Sequence, residues 1–346
     1  MTSPLTSDLT RDDARSPGAA GAQSSGRRPA QSLALARVAR GVRRQWLIVI
    51  LITLAVAAGG IGFDYSGGVR PLVAAQFWAP LAVALALIAA LVREIGRNTI
   101  TSITSFGKHR GYMVFGAAPE LTPHALRQLP PDKRTPVGCL AFQPAAPFAT
   151  AFRDLQGALA DQRVVSFIAA LPEEGATMSA LCAAVSAAQQ GRSVIIVDCD
   201  LRRRGLTRAL EHEADAGVLE ASNEPESWRN LIAEEEETGL HFLPAARMRN
   251  PWKTLAGSRG FPALIDALGD AYDLVVLDCP PALASADGVV LAGMAERAIL
   301  VAGWDRTKLG AVRSVMRSLQ RRPHLATGVW VNRVPPQYRF GRLRPD

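Results

Sequence analysis

Residues 164–204 read VVSFIAALPEEGATMSALCAAVSAAQQGRSVIIVDCDLRRR, an alternation of apolar runs and polar loops. A β-branched run, Val164–Ile168, leads into a loop that contains proline and glycine. An alanine-rich segment of helical length follows, and after Gly191 a second apolar run, Val194–Val197, ends at Asp198. Two buried strands joined by a helix are typical of a parallel sheet with a crossover connection.

The same alternation continues to the C-terminus and predicts six strands with helices between them. The predicted strands are Val164–Ala169, Ser193–Val197, Leu240–Leu243, Asp273–Leu277, Ala298–Ala302 and Gly328–Asn332. A helix, Ala149–Leu159, precedes the first strand. Short runs rich in Val, Ile and Leu are what a parallel sheet covered on both faces requires. The sequence therefore predicts an α/β fold with a doubly wound, mostly parallel sheet.

Polar side chains follow three of the predicted strands. Asp198 and Asp200 follow VIIV, Asp278 follows LVVL, and Asn332 follows GVWV. The carboxyl ends of parallel strands line one crevice, which is where such sheets bind ligands. A single acid at a strand end is also typical of a helix N-cap. Three such ends together with a glycine-containing loop indicate a ligand site more specifically.

The loop after the first strand lies where P-loop NTPases hold phosphate groups. It ends Gly175-Ala176-Thr177, so an alanine stands where those proteins carry a lysine. The fold signature is present, but the residue that neutralises phosphate charge is missing.

The charge of the chain is concentrated at its two ends. The net charge is +8, of which residues 1–44 contribute an excess of five positive charges and residues 333–346 an excess of three. The region between them is neutral, which argues against nucleic acid as a partner. Basic tails suit an anionic membrane surface or simple solvation. Four cysteines without CxxC spacing predict reduced, buried thiols rather than a metal site.

Two uncharged apolar runs, residues 45–63 and 71–92, are each close to the length that spans a bilayer. Seven residues separate the runs, so they predict a transmembrane hairpin, although two buried helices of a soluble core remain the alternative. Arginines flank both outer ends, which predicts cytoplasmic N- and C-termini and location in the bacterial inner membrane.

These patterns divide the chain into five segments. They are a disordered basic tail (1–35), a transmembrane hairpin (45–93), a linker (94–145), a cytoplasmic P-loop NTPase-like domain (146–334) and a basic C-terminal tail (335–346).

Several motifs in this order resemble the kinase domain of bacterial tyrosine kinases attached to polysaccharide co-polymerases. This Wzc/CapB type lies within the MinD-like deviant Walker ATPases. The matching stretches are the phosphate loop at Ala169–Thr177, VDCDLRR at Val197–Arg203, NPWKTLAGS at Asn250–Ser258, YDLVVLDCPP at Tyr272–Pro281, and WVN at Trp330–Asn332. The resemblance covers about half of the chain.

The resemblance implies a role for each site residue and implies ATP and Mg²⁺ as cofactors of a competent site. Thr177 would bind Mg²⁺ directly, and Asp278 would hold it through water. Asp198 and Asp200 would act catalytically, positioning the metal and the attacking hydroxyl. Nucleotide would contact Gly175, Ala176 and Thr177, and Asn332 would read adenine.

The chain departs from the family in ways that indicate lost catalysis. Ala176 replaces the lysine, and Glu173 replaces a loop glycine. The C-terminal tyrosine cluster is reduced to Tyr338, and only Arg153 remains of the three charged positions in the ring-forming motif. The family's large extracytoplasmic region is absent between the two spans, so a separate protein would have to supply it.

Three readings remain open. The first is a membrane-anchored, non-enzymatic accessory protein of exopolysaccharide or capsule synthesis, a pseudokinase that binds a co-polymerase or polymerase and has no confident cofactor. The second is an active tyrosine kinase with a different cation, one of Arg202–Arg204 or Lys308. The third is a membrane-tethered positioning factor of the MinD/ParA type.

Overall fold

A computed structural model describes residues 50, 53–56, 58–59, 78, 80–89, 99–101, 111–248, 250 and 252–336. The chain divides into two compact units, residues 1–97 and 98–346. The predicted tail at residues 1–35 lies outside the described residues, as does the predicted C-terminal tail apart from residues 335 and 336.

The first unit contains both predicted membrane spans, which are described only in part. Residues 53–56, 58–59 and 80–89 are helical. No helix within the described residues is both long and apolar enough to cross a bilayer. The remainder of residues 45–63 and 71–92 lies outside the described part of the chain, and the hairpin stays a prediction.

The second unit is built on an eight-stranded sheet. The strands are β1 (Val114–Pro119), β2 (Val164–Ala169), β3 (Val194–Asp198), β4 (Ala233–Glu235), β5 (Leu240–Leu243), β6 (Leu274–Asp278), β7 (Arg297–Gly303) and β8 (Ala326–Val334). Their order is β1-β8-β7-β2-β6-β3-β5-β4, and only the β4–β5 pair is antiparallel. The predicted mostly parallel α/β sheet is therefore confirmed, and all six predicted segments form strands.

Helices cover both faces of this sheet. They are α1 (Pro123–Arg127), α2 (Pro136–Phe142), α3 (Pro147–Leu159), α4 (Ala176–Ala188), α5 (Gly205–Ala209), α6 (Val218–Asn223), α7 (Phe261–Ala271), α8 (Ala286–Ala292) and α9 (Leu309–Leu319). Helix α3 begins two residues before the predicted helix and ends where predicted. Helix α4 is buried at ten of its 13 residues, which explains its alanine content, because small side chains let it pack closely against the sheet.

Successive residues of the central strands pack into two hydrophobic cores. On β2, Val165 and Phe167 pack on the side of α3 and α4, whereas Val164 and Ile168 pack on the side of α7, α8 and α9. Both faces of each strand are thus removed from water, so the strands read as continuous apolar runs instead of an alternating pattern.

Part of the predicted linker, residues 94–145, belongs to the sheet domain. Strand β1 pairs in parallel with β8, and α1 and α2 follow it. Its sequence, VFGAAP, lacks the β-branched run that marks the other strands, and Gly116 has a φ of 146°. A Cβ at Gly116 would lie 2.8 Å from the ring of Trp330. Packing against β8, rather than local propensity, therefore makes this segment a strand.

Candidate nucleotide site

The phosphate loop joins β2 to α4 at the carboxyl edge of the sheet. Gly175 precedes α4 with a φ of 97°, in the left-handed region that favours glycine. A Cβ there would lie 2.1 Å from Nδ2 of Asn332. The positive φ and the closeness of Asn332 therefore each require glycine at residue 175, whether or not a ligand binds.

Glu173 has a φ of 66°, although it carries a side chain. It is exposed, and it stands where the resembled family has a glycine. A left-handed conformation costs a residue with a Cβ about 1–2 kcal/mol. At residue 173 the loop thus adopts a left-handed conformation without the glycine that adopts it without strain.

The side chain of Glu174 is buried inside the loop and stabilises it through hydrogen bonds. Its Oε2 accepts hydrogen bonds from the backbone N–H groups of Ala170 and Leu171, both at 2.9 Å, and its Oε1 accepts one from the hydroxyl of Thr307 at 2.6 Å. Burial raises the pKa of this carboxyl, and these three bonds oppose the rise. Two loop amides are therefore occupied by the protein's own carboxylate.

Thr307 was not among the predicted site residues. Its hydroxyl oxygen also accepts a hydrogen bond from the backbone N–H of Gly303, so it joins the loop after β7 to the phosphate loop. No motif marks it in the sequence, because the contact is made between residues 133 positions apart.

Ala176 is the first residue of α4 and is buried. Its methyl group supplies no charge at the point where the loop meets the helix. Thr177 follows, and its Oγ1 would lie 3.1 Å from a Cβ at Gly205, so the chain segment after β3 passes directly over the loop.

Asp198, at the end of β3, is fully buried and hydrogen-bonded to its own domain. One oxygen accepts bonds from the backbone N–H and the hydroxyl of Thr207, at 2.9 and 2.7 Å, and the other accepts from the N–H of Asp200 at 3.2 Å. Burial raises the pKa of Asp198 to about 6 despite these bonds. In this arrangement Asp198 holds α5 to the sheet.

Asp278, at the end of β6, is the register partner of Asp198 and is also buried. Neither of its carboxylate oxygens has a hydrogen-bond partner at bonding distance in the described part of the chain. Burial, and next the charge of Asp198, raise the pKa of Asp278 well above its ordinary range, while the nearby Thr177 hydroxyl lowers it. Such an unsatisfied carboxylate is the feature here that points most directly to a ligand.

These residues fit a magnesium ion better than a triphosphate. Mg²⁺ takes oxygen ligands, and the oxygens of Asp278 and Thr177 would supply them. The loop offers no lysine for phosphate at Ala176 and adds a carboxylate at Glu173. ATP binding thus lacks the group that would offset phosphate charge.

Asp200 lines a cavity of about 210 Å³ together with Arg202, Arg203 and Lys253. The backbone N–H of Arg203 donates to Oδ1 of Asp200 at 3.0 Å. The side-chain Nε of Arg203 lies 3.9 Å from Oδ2 of Asp200. Three basic side chains thus line the cavity. They lie beside Asp200 and not at the start of α4, where the resembled family has its lysine.

Arg204, one of the suggested replacements for the lysine, is held by contacts within the domain. It is buried with a φ of 50°, its Nε donates to the carbonyl of Ala245 at 2.7 Å, and its Nη2 lies 3.7 Å from Glu213. Lys308, the other suggested cation, pairs through its backbone with Thr99.

Asn332 is placed at the loop by the end of β8. Its Nδ2 donates to the carbonyl of Glu174 at 3.2 Å, and its Oδ1 accepts from the N–H of Arg333. It borders a cavity of about 270 Å³ that Phe148 and Met178 also line. The structure thus brings Asn332 to Gly175, where its amide is bonded to the loop. Its predicted contact with adenine stays a prediction.

Arg153, the surviving charged residue of the ring motif, lies exposed on α3. Its guanidinium donates to the carbonyl of Pro144 at 2.5 Å and to Thr150 at 3.2 Å. These contacts lie within its own chain.

Sequence comparison finds relatives among bacterial kinases, whereas no family model matches the chain. EpsB of Ralstonia solanacearum, named as a tyrosine-protein kinase, is 29% identical over 271 residues, which cover 75% of this chain and 36% of EpsB. The succinoglycan biosynthesis transport protein ExoP of Rhizobium meliloti is 29% identical over 184 residues, 51% of this chain and 23% of ExoP. The chain thus spans about a third or less of these two relatives.

Comparison of structures gives the same fold. The kinase domain of the Escherichia coli tyrosine kinase ETK superposes with a TM-score of 0.62 at 21% identity, and the match covers 71% of this chain and all of that domain. Sequence motifs, relatives and fold agree, and the predicted resemblance is confirmed. The chain is similar to the Wzc/CapB-type bacterial tyrosine kinases.

Proposed function

We propose that this protein is a membrane-anchored accessory protein of exopolysaccharide or capsule biosynthesis, a pseudokinase that acts by binding partner proteins. The observation that carries the proposal is the phosphate loop. It is an ordered turn with left-handed residues at 173 and 175, yet it has a buried methyl group at Ala176 where the resembled family has a lysine. The loop is maintained as structure without the charge that phosphoryl transfer requires.

The other site residues support the same reading. Asp198 is used to hold α5, and the amide of Asn332 is used to hold the loop. Magnesium, bound by Thr177 and Asp278, would supply charge neutralisation. Without a lysine, ground-state affinity for nucleotide would fall roughly tenfold to hundredfold, since a charge-assisted hydrogen bond contributes about 1.5–3 kcal/mol.

The membrane anchor is the transmembrane hairpin of residues 45–63 and 71–92, with both termini in the cytoplasm. Its support is the two charge-free runs with arginines outside them. Only seven residues separate the runs, so the partner is a co-polymerase or polymerase that supplies the extracytoplasmic part. ExoP, by its name, is a biosynthesis transport protein, which places one relative in this kind of system.

Complementation tests the proposal. In a strain that lacks this gene, the wild type and an Asp278→Asn variant are expected to restore polysaccharide equally, because no phosphoryl transfer is needed. Asp278 is the better choice than Asp198, since its oxygens make no hydrogen bond that the change would break. A folded Asp278→Asn protein that fails to restore polymer would overturn the proposal.

An active tyrosine kinase is the second candidate, and the cations around Asp200 favour it. Arg202, Arg203 and Lys253 line the adjoining cavity and would have to neutralise phosphate from there. Tyrosine phosphorylation by the purified chain, abolished by Arg202→Gln with Lys253→Gln, is the result that would support this candidate against the first.

A further inference from the structure

The loop between β5 and α7 projects a basic and aromatic surface. Its sequence from residue 247 to 253, RMRNPWK, contains three basic residues and no acid. Trp252 is 88% exposed, and Lys253 is exposed beside it. We name Arg202, Arg247, Met248, Trp252 and Lys253 the Trp252 face. Trp252 is the most exposed large apolar side chain in the described part of the chain.

The Trp252 face is open rather than grooved. A hollow of about 510 Å³ is bordered by Arg202, Arg247, Met248 and Trp252. Arg247 pairs with the exposed Glu213 at 3.1 Å, while Arg202 and Lys253 form no ion pair in the described part of the chain. Protein interfaces centre on packed apolar side chains and contain little lysine. A single tryptophan ringed by cations suits an anionic lipid surface better.

The topology places this face at the edge of the sheet where the described domain begins. Strands β3, β5 and β7 are mutually parallel, so the loops after them lie on the same edge. Arg202 follows β3, and Trp252 follows β5. After β7, Thr99 pairs with Lys308, and the N–H of Asp305 donates to the carbonyl of Ile100. Thr99 and Ile100, the first described residues of this domain, thus lie at the edge that carries the Trp252 face.

The length of the connection keeps this edge close to the bilayer. The second predicted span ends at residue 92, and Thr99 is the next described residue. Seven residue steps reach at most about 25 Å. This step rests on the proposed membrane anchor, which fixes residue 92 at the cytoplasmic surface.

We infer that the Trp252 face docks on anionic phospholipid headgroups of the membrane that anchors the chain. Tryptophan settles at the headgroup level with its ring toward the acyl chains, and arginine and lysine bind the phosphates. Each basic residue at an anionic surface favours binding about fivefold. The docked domain turns its phosphate-loop edge toward the bilayer.

Quenching by brominated lipid tests this inference. The full chain is reconstituted in vesicles of phosphatidylcholine and phosphatidylglycerol with brominated acyl chains, and emission is compared between wild type and Trp252→Phe. The difference between the two proteins gives the emission of Trp252. This emission is expected to be quenched in the vesicles that contain phosphatidylglycerol and not in vesicles of brominated phosphatidylcholine alone. Arg247→Gln with Lys253→Gln should shift docking about 25-fold or more toward the free state.

The matched control is Arg317→Gln with Arg321→Gln, which removes the same charge from exposed residues at the far end of α9 and should leave quenching unchanged. Trp46 and Trp78 lie in the predicted spans and report anchoring separately. Equal quenching of wild type and Trp252→Phe, with these spans still quenched, overturns docking and points to a protein partner. If brominated lipid does not quench Trp46 and Trp78, the proposed membrane anchor is wrong. The docking proposal, which depends on that anchor, then fails with it.

Discussion

Two residues of the phosphate loop depart from the resembled family, and one affects stability whereas the other affects phosphate binding. Glu173 costs stability, because its φ of 66° is strained for any residue with a Cβ. Ala176 costs no stability, since a small buried residue suits the start of α4, but it removes the charge that a phosphate needs. The Glu173 change therefore shows in the backbone conformation of the loop, whereas the Ala176 change shows only in the missing positive charge.

Replacing Glu173 with glycine should stabilise the protein. The change relieves about 1–2 kcal/mol of strain, and the greater freedom of glycine in the unfolded chain takes back about 0.5–1 kcal/mol. The expected gain in the free energy of unfolding is therefore about 0.5–1 kcal/mol, measured by urea titration. Glu173→Ala removes the same charge and keeps the strain, so it should give no gain. A similar gain in both variants would show that charge, rather than backbone, is responsible.

The Asp278→Asn variant should be stabilised increasingly as pH rises, measured without metal or nucleotide. The pKa of Asp278 is higher in the folded than in the unfolded state, so the folded state binds its proton more tightly, and wild-type stability falls as pH rises above the unfolded value of about 4. Asparagine removes this dependence. The free energy of unfolding of the variant should therefore exceed that of the wild type by an amount that grows as pH rises above about 4.

Asp198→Asn is the contrasting control for that experiment. Asp198 accepts two hydrogen bonds from Thr207 at one oxygen and a third from Asp200 at the other. Asparagine has a single acceptor oxygen, so the change removes at least one of these bonds. It should destabilise the protein near neutral pH by about 1–3 kcal/mol. A difference between Asp278→Asn and wild type that stays constant with pH would contradict the buried, unpartnered carboxylate.

The positions of the site residues could be predicted from the sequence, but their bonding could not. Asp198, Asp278 and Asn332 follow strands whose apolar runs are unmistakable, so their common edge follows from the topology. The use of Asp198 by Thr207 depends on how the chain turns after β3. No local pattern encodes such a contact.

At the scale of elements, the phosphate loop is tied to the loop after β7. Thr307 bonds to Glu174 and Gly303, and the same loop holds Thr99, whose hydroxyl donates to Asp305 at 2.9 Å. Ile100 is buried beside it. The segment entering the domain is therefore connected to the phosphate loop through one turn of chain.

Thr307→Val should loosen this connection. The variant keeps the shape of the side chain and leaves Glu174 with one fewer donor, which should lower the free energy of unfolding by about 1–3 kcal/mol. Hydrogen exchange in residues 170–175 should become faster. Thr307→Ser keeps the hydroxyl and should keep slow exchange. Equal exchange in the Val and Ser variants would mean that the hydroxyl does not hold the loop.

Strand β1 marks the limit of prediction at this scale. The strands with long Val, Ile and Leu runs were predicted to within two residues. β1 was not, because VFGAAP becomes a strand only by pairing with β8. The three-residue strand β4, rich in glutamate, was missed for the same reason, since its pairing with β5 creates it.

For the whole molecule, the sheet domain should need residues before 146. A chain that begins at residue 98 keeps β1, whereas one that begins at residue 146 exposes the edge of β8 and the ring of Trp330, which is fully buried. The longer chain should unfold cooperatively and remain monodisperse, and the shorter one should aggregate or unfold at lower temperature. Equal thermal midpoints would show that β1 is dispensable.

The central claim is that the site is kept as structure and has lost its nucleotide chemistry. The most direct test is a calorimetric titration of Mg-ATP into the full chain, comparing wild type with Ala176→Lys combined with Glu173→Gly. The restored variant is predicted to bind about tenfold to hundredfold more tightly, because it regains a charge-assisted bond. Wild type that binds Mg-ATP as tightly as the folded, restored variant would contradict the account.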